Sequence, residues 1–388
     1  MAAVPREGKQ MKLSRKYLTV LALPGLLFAG CLTLPGQPAR VGPGLLAETR
    51  VSVAADPSAL AFASDGRVFY TEKHTGQIRV IDQDGLLAQP FAQVPVNSAG
   101  QRGLLGIALH PDFPAVPRVY VFYTRSDSGV STDNAQAVFD NRVVFFQAGG
   151  NVADGGEVFV AALPVTSATT NVGGQIAFAA DGTLLVALGD QAESAAAGDP
   201  ASLLGKVLRY NDDGSIPADN PSPDSPVFAS GLRNPGGLCV DPASGSVFLI
   251  DRGPDGASEI NRVTSGADLG WPAVSGVANT SAELAYVAAA PTYSDPLYVT
   301  SSGGLLAGCS FNPGGRYGPG VQNQLFFGQA AEQRVMIARL DSPRTAIVGV
   351  EPFTNSLRGP IHTLGFTPAG TLYVATANAI LRLVPLPA

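Results

Sequence analysis

The chain has 388 residues, with 45 Gly, 31 Pro and 14% charged residues, and its net charge is −6 at a pI near 5.1. This acidic balance excludes a basic surface that neutralises phosphates, so no nucleic-acid partner is expected. Abundant Gly and Pro with few charges favour many short strands joined by tight turns over a helical bundle.

The chain begins with a basic segment and then an apolar one. Lys12, Arg15 and Lys16 precede the apolar stretch 17–29, which is too short to cross a bilayer as a mature helix. This arrangement is typical of an export signal, which we assign to residues 1–30.

A cysteine follows the apolar stretch. The sequence Leu-Phe-Ala-Gly-Cys at 27–31 resembles a bacterial lipobox, in which the cysteine, here Cys31, becomes lipidated and forms the new N-terminus. Residues 31–45 are rich in Pro and Gly and predict a flexible tether. We therefore expect an exported protein that touches the membrane only through a lipid anchor, in the outer membrane facing the periplasm or at the cell surface. The alternative is a plain secretory signal that is cut nearby.

One sequence phrase recurs through the rest of the chain: a short apolar strand, a turn of the Asp-Gly type and a second apolar strand. It is clear at 60–70, 176–186, 238–249 and 364–374, and weaker at 107–123 and near 312–314. Asp-Gly between apolar runs is a strong hairpin signal. Six copies spaced by roughly 50 to 70 residues indicate a repeat architecture whose ring closure removes the exposed sheet edges. We predict an all-β, six-bladed β-propeller over residues 46–388, closed by strands at 51–53 and 381–384.

Two further cysteines, Cys239 and Cys309, lie in similar local contexts, each in an apolar run followed by Asp-Pro or Asn-Pro. If these runs are equivalent strands of neighbouring blades, the two sulfurs are close enough to bond. The sequence leaves this open, and two buried free thiols are the favoured interpretation, because a bridge needs Cα atoms within about 7 Å.

Several blocks occur in a distinctive order. They are Gly-Gln-Arg-Gly-Leu-Leu-Gly at 100–106, Gly-Gly-Gln at 173–175, Gly-Asp at 189–190, Gly-Lys-Val-Leu-Arg at 205–209, Gly-Leu-Arg-Asn-Pro-Gly-Gly-Leu at 231–238, Gly-Pro at 253–254 and Gly-Trp-Pro at 270–272. Together, over about residues 55–275, they resemble the soluble quinoprotein glucose/sorbosone dehydrogenases. The resemblance implies a six-bladed propeller that holds pyrroloquinoline quinone (PQQ) and Ca²⁺ in its mouth, oxidises the anomeric hydroxyl of a sugar and passes electrons to an external acceptor.

The resemblance also implies where the cofactor and the metal bind. Arg233 and Asn234 would contact the quinone, and Arg358 would be a later cofactor contact. Arg233 would also stabilise the charge that develops on the quinone oxygen. The carbonyl oxygens of Gly253 and Pro254 would bind calcium.

The substrate side of the implied site departs from the family pattern. Gln101 would face the substrate, and Asp190 would orient the catalytic base. That base is the His of a His-x-Gly-Gly motif, but here the position holds Asn171. A carboxamide cannot accept the hydroxyl proton as an imidazole does. Loss of a general base costs roughly 3 to 5 kcal/mol of barrier.

A second departure lies near the C-terminus, where the family's cofactor-binding Lys falls near Ala331 or Glu332. Neither residue supplies a cation for the carboxylates of the quinone. Of the chain's three histidines, His110 is predicted to be structural, and His74 and His362 are predicted to be surface and strand-end residues.

Two functions therefore remain open. In one, the protein is a sugar dehydrogenase in which Asp190 or a water is the base. In the other, the propeller is a catalytically impaired, surface-anchored module that binds a carbohydrate or a protein. A third class, the calcium-dependent lactonase-type propellers, needs converging carboxylates and Asn residues that the sequence does not supply.

Overall fold

The computed structural model describes residues 38–301 and 303–386. The predicted signal 1–30 and Cys31 lie outside the described residues. Within the described part of the chain, no helix is long and apolar enough to cross a membrane.

The strands of the described residues form six antiparallel sheets, and each sheet is one blade of a propeller. Blade 1 contains β3 (Pro57–Phe62), β4 (Val68–Glu72), β5 (Gln77–Ile81) and β6 (Ala92–Gln93). Blade 2 contains β7 (Leu104–Leu109), β8 (Arg118–Ser126) and β9 (Val138–Gly149), with β10 (Val152–Ala153) and β11 (Val158–Leu163) both paired to β9. Blade 3 contains β12 (Gly173–Phe178), β13 (Leu184–Leu188), β14 (Lys206–Tyr210) and β15 (Val227–Ser230).

The second half of the ring follows the same plan. Blade 4 contains β16 (Pro235–Val240), β17 (Val247–Arg252), β18 (Ser258–Val263) and β19 (Tyr298–Val299). Blade 5 contains β20 (Leu306–Phe311), β21 (Leu325–Gln329), β22 (Arg334–Leu340) and β23 (Ile347–Pro352). Blade 6 contains β24 (Ile361–Phe366), β25 (Leu372–Thr376), β26 (Ile380–Pro385), β2 (Leu45–Val51) and β1 (Ala39–Gly42). Among residues 38–301 and 303–386, the helical segments are α1 (Ser281–Ala289) and three short 3₁₀ turns at Ser194–Ala197, Pro254–Gly256 and Pro319–Val321.

The predicted six-bladed propeller is confirmed. Each inner strand packs against the next, and β24 packs against β3, so the six blades close into a ring. Each repeated phrase forms the first hairpin of one blade; in blade 3, for example, Asp181 Oδ1 accepts the Thr183 N–H at 3.0 Å and Gly182 takes φ 82°. Each pair of neighbouring sheets shares an apolar core, because the sheets present alternating buried side chains to one another.

The closure of the ring differs in detail from the sequence prediction. The closing pair is β2 with β26, whose register sets Glu48 opposite Arg382, and these side chains form an ion pair. The closing strand therefore ends at Val51 instead of covering 51–53. Part of the predicted tether is also ordered as a strand, since β1 pairs with β2 and buries Val41 in the core between blades 5 and 6.

The two remaining cysteines are bonded. Cys239 in β16 and Cys309 in β20 form a disulfide with a Cα–Cα distance of 5.8 Å. They occupy equivalent inner strands of blades 4 and 5. The favoured interpretation of two free thiols was therefore wrong, and the reason is the close approach of neighbouring inner strands, which a linear sequence does not show.

Candidate active site at the propeller mouth

A cavity opens where the inner strands begin. Its first part, called here the Asn171 pocket, has a volume of about 600 Å³ and lies on the side of blades 3 and 4. Its second part, called the Lys73 pocket, has a volume of about 310 Å³ and lies on the side of blades 1 and 6. The two pockets share four lining residues: Gln101, Asn234, Arg252 and Leu305. Both volumes are typical of small-molecule sites.

Asp190 is the residue in the wall of the Asn171 pocket to which its neighbours are hydrogen-bonded. The carboxylate is 1% exposed. Its Oδ1 accepts hydrogen bonds from Asn171 Nδ2 and from the Ala192 N–H, both at 2.9 Å. Its Oδ2 accepts from Trp271 Nε1 at 2.8 Å. The side chain of Asp190 therefore holds Asn171 of blade 3 and Trp271 of blade 4 on the same wall.

Glycines allow this close approach. Gly189 precedes Asp190, and a Cβ there would lie 2.0 Å from the carbonyl oxygen of Asn171. Gly173 has φ 71°, and a Cβ there would lie 2.7 Å from the Ala187 carbonyl oxygen. The absence of a side chain at Gly173 and Gly189 thus allows the backbone to come close enough for Asn171 to contact Asp190.

Gln101 contacts the same cluster from blade 2. Its Oε1 accepts the backbone N–H of Asn171 at 2.7 Å, while Asn171 itself takes φ 53°. Asn is one of the few residues that tolerate this left-handed conformation. Gln101 lines both pockets, so it positions Asn171 and remains part of the cavity wall.

Arg233 lies beside Trp271, with its guanidinium carbon 5.6 Å from the ring centroid. Its Nη1 donates to the carbonyl oxygens of Gly253 at 3.0 Å and of Arg252 at 3.1 Å. Its backbone carbonyl accepts the Asp190 N–H at 2.9 Å. The geometry brings the predicted residues Arg233, Asn171 and Asp190 into one pocket.

A buried carboxylate fixes the backbone of the Arg233–Asn234 pair. Asp251 at the end of β17 accepts the Arg233 N–H at 2.8 Å and the Asn234 N–H at 2.6 Å. Burial raises the pKa of Asp251 to about 7, the charges of Glu259 and Asp190 act in the same direction, and the two N–H donors oppose them. Asp251 was not predicted as a site residue, although its place just before Gly253-Pro254 is a usable signal.

The carbonyls predicted to bind calcium are engaged within the protein. Gly253 O accepts from Arg233, and Pro254 O accepts the Ala257 N–H at 3.3 Å. In the described residues, no three His, Cys, Asp or Glu side chains converge on a metal position. The Arg233 guanidinium at the Gly253 carbonyl disfavours a calcium ion at the same oxygen, because the two positive charges repel each other.

The Lys73 pocket is lined by basic side chains that were not predicted from the sequence as site residues. Lys73, Arg252 and His362 all line it, together with Asp56. Lys73 follows β4, Arg252 ends β17 and His362 lies in β24, so they come from blades 1, 4 and 6. Only ring closure brings these distant positions together. His362 was predicted to be a strand-end residue, and it lies at the strand end but in the cavity wall.

Arg358 lies elsewhere. It is exposed in the loop before β24, with φ 60°, and it is not among the described residues that line either pocket. Ala331 and Glu332 are likewise exposed, while the neighbouring Ala330 lines the Lys73 pocket. The cofactor role of Arg358 stays a prediction.

Residues 54–384 match the model of the Glucose / Sorbosone dehydrogenase family. The chain belongs to this family. It is 28% identical to the aldose sugar dehydrogenase YliI of Escherichia coli strain K12, over 85% of this chain and 90% of that protein.

Solved structures of sugar dehydrogenases are similar to this chain in fold. An oxidoreductase from Thermus thermophilus, described as a glucose dehydrogenase, is 31% identical, with a TM-score of 0.74 over 88% of this chain and 100% of that one. The PQQ-bound aldose sugar dehydrogenase of Streptomyces coelicolor is 24% identical, with a TM-score of 0.72 over 88% of this chain and 99% of that one, which supports the fold. The predicted family is confirmed, and the relatives are consistent with a sugar-oxidising quinoprotein.

Proposed function

We propose that the protein is a PQQ-dependent aldose dehydrogenase that oxidises the anomeric hydroxyl of a sugar and passes the electrons to an external acceptor. The observation that carries the proposal is the convergence of Arg233, Asn234 and Trp271 on a cavity in the mouth of a propeller of this family. The aldose sugar dehydrogenase name of the E. coli relative supports the substrate class.

The lining residues fit an anionic quinone. Arg233 supplies a cation beside the flat ring of Trp271, and Arg252 and Lys73 supply two more in the adjoining pocket. The lack of a cation at Ala331 or Glu332 is therefore offset by cations from other blades. When bound, the quinone would accept the hydride from the sugar carbon.

The chain's own residues would bind and orient the sugar. Gln101 offers an amide to the cavity, and Asn171 has its Nδ2 directed to Asp190. Both Asp190 oxygens already accept hydrogen bonds, three in total, so Asp190 serves to position Asn171 and Trp271 better than to take a proton. We assign the role of proton acceptor to a water held by the Asn171 amide, and we expect turnover to be slow for this reason.

Calcium belongs to the proposal only under one condition. The ion would bind the Gly253 carbonyl more favourably once the Arg233 guanidinium has left it, because two cations at the same oxygen repel each other. No step of the reaction is assigned to calcium here.

Export and anchoring are part of the proposal. The lipobox-like sequence ending at Cys31 supports a lipid anchor, and the basic and apolar segments before it support a signal peptide. Labelling of growing cells with a radioactive fatty acid should mark the wild-type protein and leave Cys31→Ser unlabelled. Labelling of neither protein, with secretion intact, would show a plain secretory signal.

The alternative function, a surface-anchored binding propeller, is favoured by one observation. The family resemblance sets the base at the position of Asn171, and the structure shows the amide of Asn171 hydrogen-bonded to Asp190. A dye-reduction assay with the PQQ-loaded protein and a panel of aldoses decides between the two. Sugar-dependent reduction supports the dehydrogenase. Sugar binding by calorimetry without any reduction supports the binding module.

A further inference from the structure

Three positively charged or titratable side chains from three blades face the Lys73 pocket: Lys73, Arg252 and His362. The acidic residue that lines this pocket in the described structure is Asp56. The net charge of the wall therefore depends on whether Asp56 is ionised and on which side chains it contacts.

Asp56 contacts three basic side chains. Its Oδ1 lies 3.0 Å from His362 Nδ1, and its Oδ2 lies 2.9 Å from His74 Nε2 and 3.9 Å from Lys73 Nζ. Burial tends to raise the pKa of Asp56, but the hydrogen bond and charge of His362, with the charges of Lys73 and His74, lower it overall. Asp56 is thus ionised and carries one negative charge. Lys73 and Arg252 carry two positive charges, so the wall has an excess of positive charge.

Arg252 has no carboxylate partner in the described part of the chain. Its Nε donates to the Leu306 carbonyl at 2.8 Å, and neither terminal nitrogen has a hydrogen bond there. The adjacent Asp251 uses both oxygens on the backbone of Arg233 and Asn234. A partly buried guanidinium without a counter-ion is costly to keep, which is understandable where a ligand completes it.

The backbone leaves room for this guanidinium. Gly236 in β16 packs directly against it, and a Cβ at residue 236 would lie 2.5 Å from Arg252 Nε. Arg252 also lines both pockets. The guanidinium is therefore placed between the Asn171 pocket and the Lys73 pocket, with its terminal nitrogens available to a bound molecule.

We propose that Arg252, Lys73 and His362 form a carboxylate-binding wall, with Arg252 as its main donor. The inference rests on the proposed function, which supplies two sources of a carboxylate: the quinone itself or an acidic sugar such as a uronate. A fork of guanidinium donors suits a carboxylate, and the ammonium of Lys73 adds a second charge.

Two matched ligand pairs test the proposal by calorimetry on the purified protein. PQQ and its trimethyl ester differ in carboxylate charge, and D-glucuronate and D-glucose differ at one carbon. We expect at least one acid to bind about tenfold or more tightly than its neutral partner. Arg252→Gln should remove that preference while the affinity for the neutral partner stays within about threefold.

Two further variants accompany this test. Lys73→Gln should reduce the preference in part. Arg339→Gln, at an exposed position on β22, should leave it intact. Circular dichroism confirms that each variant is folded.

The outcomes separate this inference from the proposed function. A preference for PQQ over its ester assigns the wall to the cofactor, and a preference for glucuronate over glucose assigns it to the substrate. Equal binding of PQQ and its ester, with no preference for glucuronate, would keep the quinone site and overturn the carboxylate wall. If glucuronate binds and PQQ does not bind, the carboxylate-binding wall would be kept and the dehydrogenase function would be overturned. An Arg252→Gln protein that behaves like Arg339→Gln, or no binding of any of the four ligands, would also overturn the wall.

Discussion

Trp271 donates its indole N–H to Asp190 at 2.8 Å, so a loop of blade 4 is tied to the Gly-Asp turn of blade 3. The same carboxylate receives the amide of Asn171. The wall of the pocket thus depends on one acceptor that serves two blades.

This relationship can be followed by fluorescence, because Trp271 is the single tryptophan of the chain. Asp190→Asn should shift the emission maximum to shorter wavelength. The Asn oxygen would stay with the two donors Asn171 Nδ2 and Ala192 N–H, so its NH₂ group would face Trp271, and the indole would lose the anionic acceptor that stabilises its excited state. PQQ should quench the wild-type emission. An unchanged spectrum in Asp190→Asn would show that the Trp271–Asp190 bond does not persist in solution.

Replacing Asn171 by His should restore a base. The imidazole would stand next to the Asp190 carboxylate, which can orient it, and His tolerates the left-handed backbone of residue 171 better than most residues do. We expect dye reduction with an aldose to rise about 10²- to 10⁴-fold over wild type. Asn171→Gln is the matched control and should not gain. If Asn171→His binds PQQ but gains nothing, the missing base is not what limits turnover.

Arg233→Gln should change calcium binding as well as cofactor binding. The variant loses the cation beside Trp271, so PQQ should bind more weakly. It also frees the Gly253 carbonyl, so Ca²⁺ should bind more tightly than to wild type in a calorimetric titration. Arg339→Gln is the control for loss of a charge elsewhere. Weaker calcium binding in Arg233→Gln would contradict the competition between the guanidinium and the ion.

The disulfide between Cys239 and Cys309 should stabilise the ring. It closes a loop across a sequence separation of 70 residues, and removal of such a bridge costs about 2–5 kcal/mol. Cys239→Ser with Cys309→Ser should lower the thermal midpoint. Dithiothreitol should lower the midpoint of the wild type and leave that of the double variant unchanged. Equal midpoints for the oxidised wild type and the double variant would rule out a stabilising role.

Lys206 should make stability depend on alkaline pH. Its ammonium is 0% exposed and donates to the carbonyls of Ala196, Ala197 and Leu204 at 2.7 to 2.9 Å. Burial lowers the pKa of Lys206 from 10.5 to about 8, against the charges of Asp199 and Asp268. Between these two values the unfolded chain binds a proton that the folded chain has released, so the free energy of unfolding rises with pH. The slope is at most about 1.4 kcal/mol per pH unit.

Urea unfolding of wild type and Lys206→Met at pH 7.5 to 10 checks this. The difference between the two proteins should grow with pH above about 8. At every pH the variant should be the less stable protein, because three carbonyls lose their donor. A difference that does not vary with pH would show that Lys206 keeps an ordinary pKa when folded.

The features that the sequence predicted are local ones. The Asp-Gly hairpins, the Gly-Gly block before β12 and the Arg-Asn-Pro block before β16 each depend on a few adjacent residues, and they led to the propeller and to Arg233, Asn171 and Asp190. The missed features are non-local. Arg252 and Lys73 share a pocket because blades 1 and 4 face each other across a closed ring, and Cys239 meets Cys309 because inner strands of adjacent blades lie side by side. Asp251 was missed because its partners are backbone N–H groups, which have no sequence signature, so its position just before Gly253-Pro254 was the available signal.

The most direct test of the account is a calorimetric titration of the purified protein with PQQ, with and without calcium. We expect saturable binding of one PQQ per chain in the presence of a chelator, because Arg233, Arg252 and Lys73 supply the positive charge. Binding that appears only with calcium would keep the dehydrogenase but contradict the expectation that Arg233, Arg252 and Lys73 suffice to hold PQQ. The absence of binding at high micromolar PQQ under both conditions would contradict the dehydrogenase and leave the protein as a binding propeller.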